Sequence, residues 1–170
     1  MSNASSLTTP AESFAEVRAH DQVMRYRRAG SGRPLLVLRT GVAGDSLWHE
    51  LDDRLPQCFR VLTPDTTTSN GSTALWLRGF LEGIGVERTS VLATGDLCMA
   101  ALELALMDGD RIERLALVPP GGVPEPGLDG TLATSMLGIT VPLLVVRRGV
   151  PSSEALPQLM RFLEGDGHAK

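Results

Sequence analysis

An α/β fold with a doubly wound, mostly parallel sheet is what this chain predicts, and three observations predict it. An uninterrupted apolar run at residues 35–38 and a short apolar run at 90–94 read as buried parallel strands, and 59–63 reads as a further strand. Stretches of helical period alternate with them at 73–85, 97–107 and 152–163. Residues 90–121 then set a strand, a sharp turn at Gly95, an apolar helix and a second strand (114–118) in series. That series is a βαβ crossover, which is parallel and right-handed.

The elements follow in order. Residues 1–12 (MSNASSLTTPAE) are small and polar and read as a flexible tail before a single domain over 13–170. Residues 14–18 and 22–28 read as strands joined at His20-Asp21, and Gly30 and Gly32 mark a polar turn. A glycine-containing loop (40–46) follows the strand at 35–38. Ser46 opens a helix to about Leu55 with Leu47, Trp48 and Leu51 on one face and Pro56 just past its end. After the strand at 59–63 and a polar loop at 65–72, helix 73–85 places Leu75, Leu77, Phe80, Leu81 and Ile84 inward. Asp96 stands where a helix N-cap belongs. Helix 97–107 is apolar on nearly every side, with Glu103 alone expected to face water, so it is covered over most of its circumference. Residues 119–130 are rich in Pro and Gly, and Asp129 is placed to cap one or two turns through Leu137. Residues 141–146 are a last apolar strand. Ser152 or Ser153 then caps a helix in which Leu156, Leu159, Met160 and Leu163 share a face, and Gly165 ends it.

The 170 residues, 42% apolar and 21% charged, suit one globular domain with a sizeable core. A net charge of −4 speaks against nucleic acid and anionic membranes as partners. Cys58 and Cys98 are too few and too far apart for a disulfide scaffold or a metal site, so no metal or cofactor is expected. Both read as reduced thiols of a cytoplasmic protein. No apolar run approaches a membrane span, and the N-terminus carries no signal pattern. Neither dinucleotide nor P-loop spacing can be written through Gly41, Gly44 and Asp45.

Several stretches carry a resemblance: VMRYRRAGSG at 23–32, PLLVLRTGVAGDSLW at 34–48, RVLTPD at 60–65, and the helix and strand of 74–93. Together, residues 13–121 resemble the first part of an α/β-hydrolase of the small esterase and enol-lactonase type. The resemblance implies a truncated α/β-hydrolase-like domain with no cap domain. It also implies that the loop at 40–46 carries half of an oxyanion hole and that the turn at Gly95 is the nucleophile elbow.

A serine hydrolase needs a hydroxyl on a strained strand-to-helix turn, an imidazole to take its proton and an acid to orient the ring. The family writes the turn G-x-S-x-G. Aligned without a gap, the nucleophile position is Gly95, flanked by Ala93 and Leu97. Glycine there relieves backbone strain and removes the hydroxyl. Sliding the frame by one makes Asp96 the nucleophile, as haloalkane dehalogenases use an aspartate at this turn; its competing role is the helix cap. Cys98, inside an apolar run, reads as an inert buried thiol. The family's His-Gly after the third strand stands here as Thr40-Gly41, and its acid position falls in Arg147-Arg148-Gly149-Val150-Pro151. GDGH at 165–168 resembles the family's Gly-x-Gly-His ending, so His168 is the candidate base, although the preceding residues read as a helix. Asp45 and Asp65 lie at the carboxyl edge, where such sheets bind ligands, with turn and cap roles as the alternative. Thr40, Gly41, Asp45, Asp65 and Gly95 form the expected ligand-binding edge, and His20 and His49 are read as solvent-facing.

With no Ser–His–acid set in its expected places, the expectation is a non-catalytic α/β-hydrolase-fold protein, a binding or oligomerisation module for a small-molecule ligand. The alternative is a hydrolase acting on a small ester, lactone or halide with Asp96 as an atypical nucleophile. The run 143–146, left as an open apolar edge, and the final helix also predict a homodimer.

Overall fold

A computed structural model describes residues 13–39, 46–69, 71–119, 138–146 and 150–165. The expected tail at 1–12 and the turns from Asp129 to Leu137 lie outside the described residues. The strands are β1 (Ser13–Ala19), β2 (Gln22–Ala29), β3 (Arg33–Leu38), β4 (Phe59–Pro64), β5 (Thr89–Thr94), β6 (Ile112–Val118) and β7 (Leu143–Val145). They form one sheet in the order β1-β2-β4-β3-β5-β6-β7. β1 and β2 form an antiparallel hairpin, and β2 meets β4 antiparallel. All pairs from β4 to β7 are parallel. His20 (φ 49°) and Asp21 (φ 60°) make the hairpin turn with two left-handed residues, the twist that a two-residue hairpin loop requires.

Among the described residues four helices flank the sheet: α1 (Ser46–Cys58), α2 (Thr73–Gly83), α3 (Leu97–Met107) and α4 (Ser152–Glu164). Residues of α2 and α3 pack with Leu36, Leu38, Val91 and Leu117 in one core. Residues of α1 and α4 pack with Leu35, Val37, Leu92 and Ala116 in a second. Alternate residues of β3 and β5 thus feed opposite layers, and both strands are buried throughout their paired length. Among the described residues no helix is long and apolar enough to cross a membrane.

Three local expectations change. α1 runs past Pro56 to Cys58, with its last turn against Gly30, just after β2. Gly30 (φ 74°) brings its backbone so close that a Cβ there would lie 2.2 Å from the Pro56 carbonyl oxygen and 2.4 Å from that of Phe59. In α2 the Ser72 hydroxyl accepts from the Leu75 N–H (3.4 Å), and the resulting frame leaves Leu75 exposed and buries Trp76. In α3 Leu106 and Met107 are exposed along with Glu103.

Candidate active site at the carboxyl edge of the sheet

The chain steps from β3 to β4 on one side and then returns to place β5 on the other. The helices that follow β3 and β5, α1 and α3, pack on opposite faces of the sheet, and a switch point of this kind is where doubly wound sheets bind their ligands. Arg39 and Gly95 lead away from the carboxyl ends of β3 and β5.

Buried β5 stops at Thr94, and the chain turns through Gly95 at φ 57°, a left-handed angle that glycine adopts without the clash a Cβ would bring. The Gly95 N–H donates to the Val118 carbonyl of β6 (3.0 Å), and its own carbonyl accepts from the Cys98 N–H (3.1 Å). The turn is thus tied to both neighbouring elements. Left-handed backbone at Gly95 matches the gapless frame, in which this residue holds the elbow position. Asp96 follows at φ −65°, ψ −20°. It is exposed, and its carboxylate makes no capping bond to α3. An N-cap needs extended backbone to swing its side chain onto the first N–H groups, whereas Asp96 is already helical. The expected cap is therefore absent, and the carboxylate is uncommitted among the described residues. The first N–H groups of a helix lack intrahelical partners, so negative charge is favoured at this end of α3.

Thr94, buried, reaches back to the Leu38 carbonyl of β3 (3.5 Å). Cys98 is buried, and its thiol donates to the Ala93 carbonyl (3.4 Å). Burial pushes the Cys98 thiol up to about 12, and the nearby Asp96 charge adds to the rise. It is an inert core group, as its place in an apolar run suggests. Asp65, exposed at the end of β4, accepts from the Thr67 N–H (3.1 Å) and hydroxyl (2.5 Å) and caps the 3-10 turn Thr66–Thr68.

Of the expected edge, then, Gly95 and Asp96 stand together at the β5 turn, and Asp65 caps the turn after β4. Thr40, Gly41, Asp45, Arg147, Arg148 and His168 lie outside the described residues. Sequence reasoning missed the ion pair behind this edge. Arg39 donates through one Nη to both carboxylate oxygens of Asp52 (3.0 and 2.8 Å), and Arg27 lies 3.7 Å from the same carboxylate. Its signal was an arginine directly after an apolar strand. Among the described residues no cluster of His, Cys, Asp and Glu is arranged to hold a metal.

Solved structures share this architecture at low identity. A membrane phospholipase A described as a bacterial virulence factor is 21% identical, with a TM-score of 0.56 over 68% of this chain and 42% of that one. Naproxen esterase from Bacillus subtilis is 14% identical, with a TM-score of 0.56 over 65% and 44%. The chain has an α/β-hydrolase-like fold. A haloalkane dehalogenase from Bradyrhizobium elkanii shares this α/β-hydrolase-like core at 16% identity and a TM-score of 0.53, over 64% and 40% of the two chains. Along the sequence, the chain is 24% identical over 164 residues to 2-hydroxy-6-oxo-6-phenylhexa-2,4-dienoate hydrolase of Comamonas testosteroni, covering 87% of this chain and 56% of that protein. The chain thus spans about half the length of the proteins it matches. No family model matches it. These comparisons correct one expectation: a chain that is more a binding or oligomerisation module than an enzyme does not fit relatives that carry the names of hydrolases, esterases and a dehalogenase.

Proposed function

We propose that the chain belongs to a working hydrolase of the α/β-hydrolase type, acting on a small ester, lactone or halide, with Asp96 as the attacking group. One observation carries this reading: an exposed carboxylate without a capping bond, beside a left-handed glycine at the carboxyl end of the central strand. On an alkyl halide, a carboxylate oxygen of Asp96 attacks the carbon in line and the halide leaves, forming an ester between enzyme and alkyl group. Water then adds to the Asp96 carbonyl, the alcohol departs with the original carboxylate oxygen, and the proton goes to solvent. The first N–H groups of α3 favour the negative charge on Asp96 and on the oxyanion of the second step.

The substrate seat is the carboxyl edge at the ends of β3 and β5, with Gly95 as its floor; Thr40, Gly41, Asp45 and Asp65 are its proposed rim and His168 the proposed base for the water. Among the described strands β7 stands at the end of the sheet and with α4 supports a homodimer through that edge, and the free thiols of Cys58 and Cys98 suit the cytoplasm. The test is turnover of p-nitrophenyl acetate, a simple lactone and n-butyl bromide by the purified chain. Asp96→Asn is expected to lower the rate on the accepted substrate by about two orders of magnitude or more. Unchanged turnover in Asp96→Asn, or none on any of the three, overturns the proposal.

A further inference from the structure

A concave surface lies between the β1–β2 turn and α2. It encloses about 490 Å³, within the range of small-molecule sites. Its chemistry comes from His20 and Gln22 on the hairpin and from Trp76, Arg78 and Glu82 on α2, with Met24 and Leu75 as apolar wall.

The groove is built by close fitting. A Cβ at Gly79 would lie 2.7 Å from the His20 ring, so glycine at that turn of α2 admits the imidazole against the helix backbone. His20 Nε2 then stands 3.6 Å from Glu82 Oε2, while Arg78 Nε donates to Glu82 Oε1 (3.1 Å). Both Glu82 oxygens thus face a nitrogen, and Arg78 Nε also lies 4.0 Å from Asp108 Oδ2. What is left over is donor capacity. The outer N–H groups of Arg78, the Gln22 amide and the Ser72 hydroxyl line the wall. Trp76 Nε1 is buried and has no hydrogen-bond partner among the described residues, an arrangement that is rare in native proteins. This nitrogen is closed off from solvent, so an acceptor reaches it only when a wall side chain moves aside.

We infer that this groove is a ligand site for a small organic carboxylate. Its oxygens accept from Arg78, Gln22 and the Trp76 indole, and its apolar body lies against Met24 and Leu75. The site is independent of Asp96 and of the reaction proposed for it.

The probe is benzoate, with benzylammonium as its opposite-charge counterpart, followed through the indole N–H signals of the nitrogen-15-labelled full chain. Trp48→Phe leaves the Trp76 signal alone in that region. Benzoate is expected to shift it saturably and benzylammonium to leave it in place. Arg78→Gln is expected to weaken benzoate about tenfold, the loss of one charge-assisted hydrogen bond. Asp96→Asn should leave the benzoate titration unchanged. A Trp76 signal that does not respond to benzoate, one that responds equally to both probes, or affinity unchanged in Arg78→Gln overturns the assignment.

Discussion

Asp96 and Cys98 stand two residues apart at the head of α3 and differ in everything that decides reactivity. Asp96 is exposed and lacks a cap bond, so Asp96→Asn and Asp96→Ala should each cost only about a few tenths of a kcal/mol, the effect of an exposed charge at a helix start, short of the about 1 kcal/mol lost with a true cap. A loss of about 1 kcal/mol or more in the alanine variant alone would show the carboxylate to be a cap. Cys98 is buried and its thiol is pushed up to about 12, first by burial. Native protein should therefore show one thiol to an aromatic disulfide reagent, the exposed Cys58, and both thiols after unfolding. Two fast thiols in the native state would contradict this. The same shift sets a pH dependence. Below the ordinary thiol pKa, folded and unfolded chains both keep the Cys98 proton and its contribution to stability is fully present. As pH rises from about 9 toward 12 the unfolded thiol ionises first, so stability falls across that window. Cys98→Ala should flatten that part of the stability profile.

Among the elements, the hairpin and α1 hold the candidate edge from behind. Gly30 lets β2 pass over the end of α1. Gly30→Ala should cost about 3 kcal/mol or more, because the added methyl meets two carbonyl oxygens and the residue keeps a left-handed angle. A thermal melt like the parent's would refute that close approach. Arg39 and Asp52 tie the end of β3 to α1; the pair is partly exposed, and Asp52→Ala should lower stability by about 1 kcal/mol. What the sequence made legible follows the same division. The runs at 35–38 and 90–94 were readable as β3 and β5 because a strand buried on both faces has no polar face to confuse the pattern. The capping role of Asp96 was misread, since residue type cannot reveal that its backbone is helical instead of extended. In α2 the expected Leu77, Phe80 and Leu81 are buried and Leu75 is exposed, because a stripe of apolar residues on both sides of Trp76 does not show where the buried face ends. β7 is shorter than the expected 141–146, since Pro142 has no N–H to donate; its carbonyl still accepts from Leu115 (2.9 Å), and Val146 N–H donates to Leu117 (2.8 Å).

For the whole molecule, a doubly wound, mostly parallel sheet was legible in the alternation of buried apolar strands with helical stretches, whereas the strand order was not, because the same alternation fits several orders. Function was not, because a missing serine at Gly95 says which nucleophile is absent and does not say which group replaces it. The groove at α2 was likewise hidden: His20 and Glu82 are distant in sequence and meet only through the hairpin turn. Among the described strands β7 stands at the end of the sheet, and the proposed homodimer through it predicts that light scattering at micromolar concentration reports a dimer that Leu159→Glu with Leu163→Glu disrupts; a stable monomer would refute it. The central claim is that the Asp96 carboxylate attacks substrate. Its most direct test is a single turnover of n-butyl bromide in heavy-oxygen water, with enzyme in excess, followed by mass spectrometry of the product and of the peptide containing Asp96. Nucleophilic attack places the heavy oxygen in the Asp96 carboxylate and leaves the first alcohol unlabelled. Heavy oxygen in the alcohol with an unlabelled Asp96, or no alcohol formed, would contradict it.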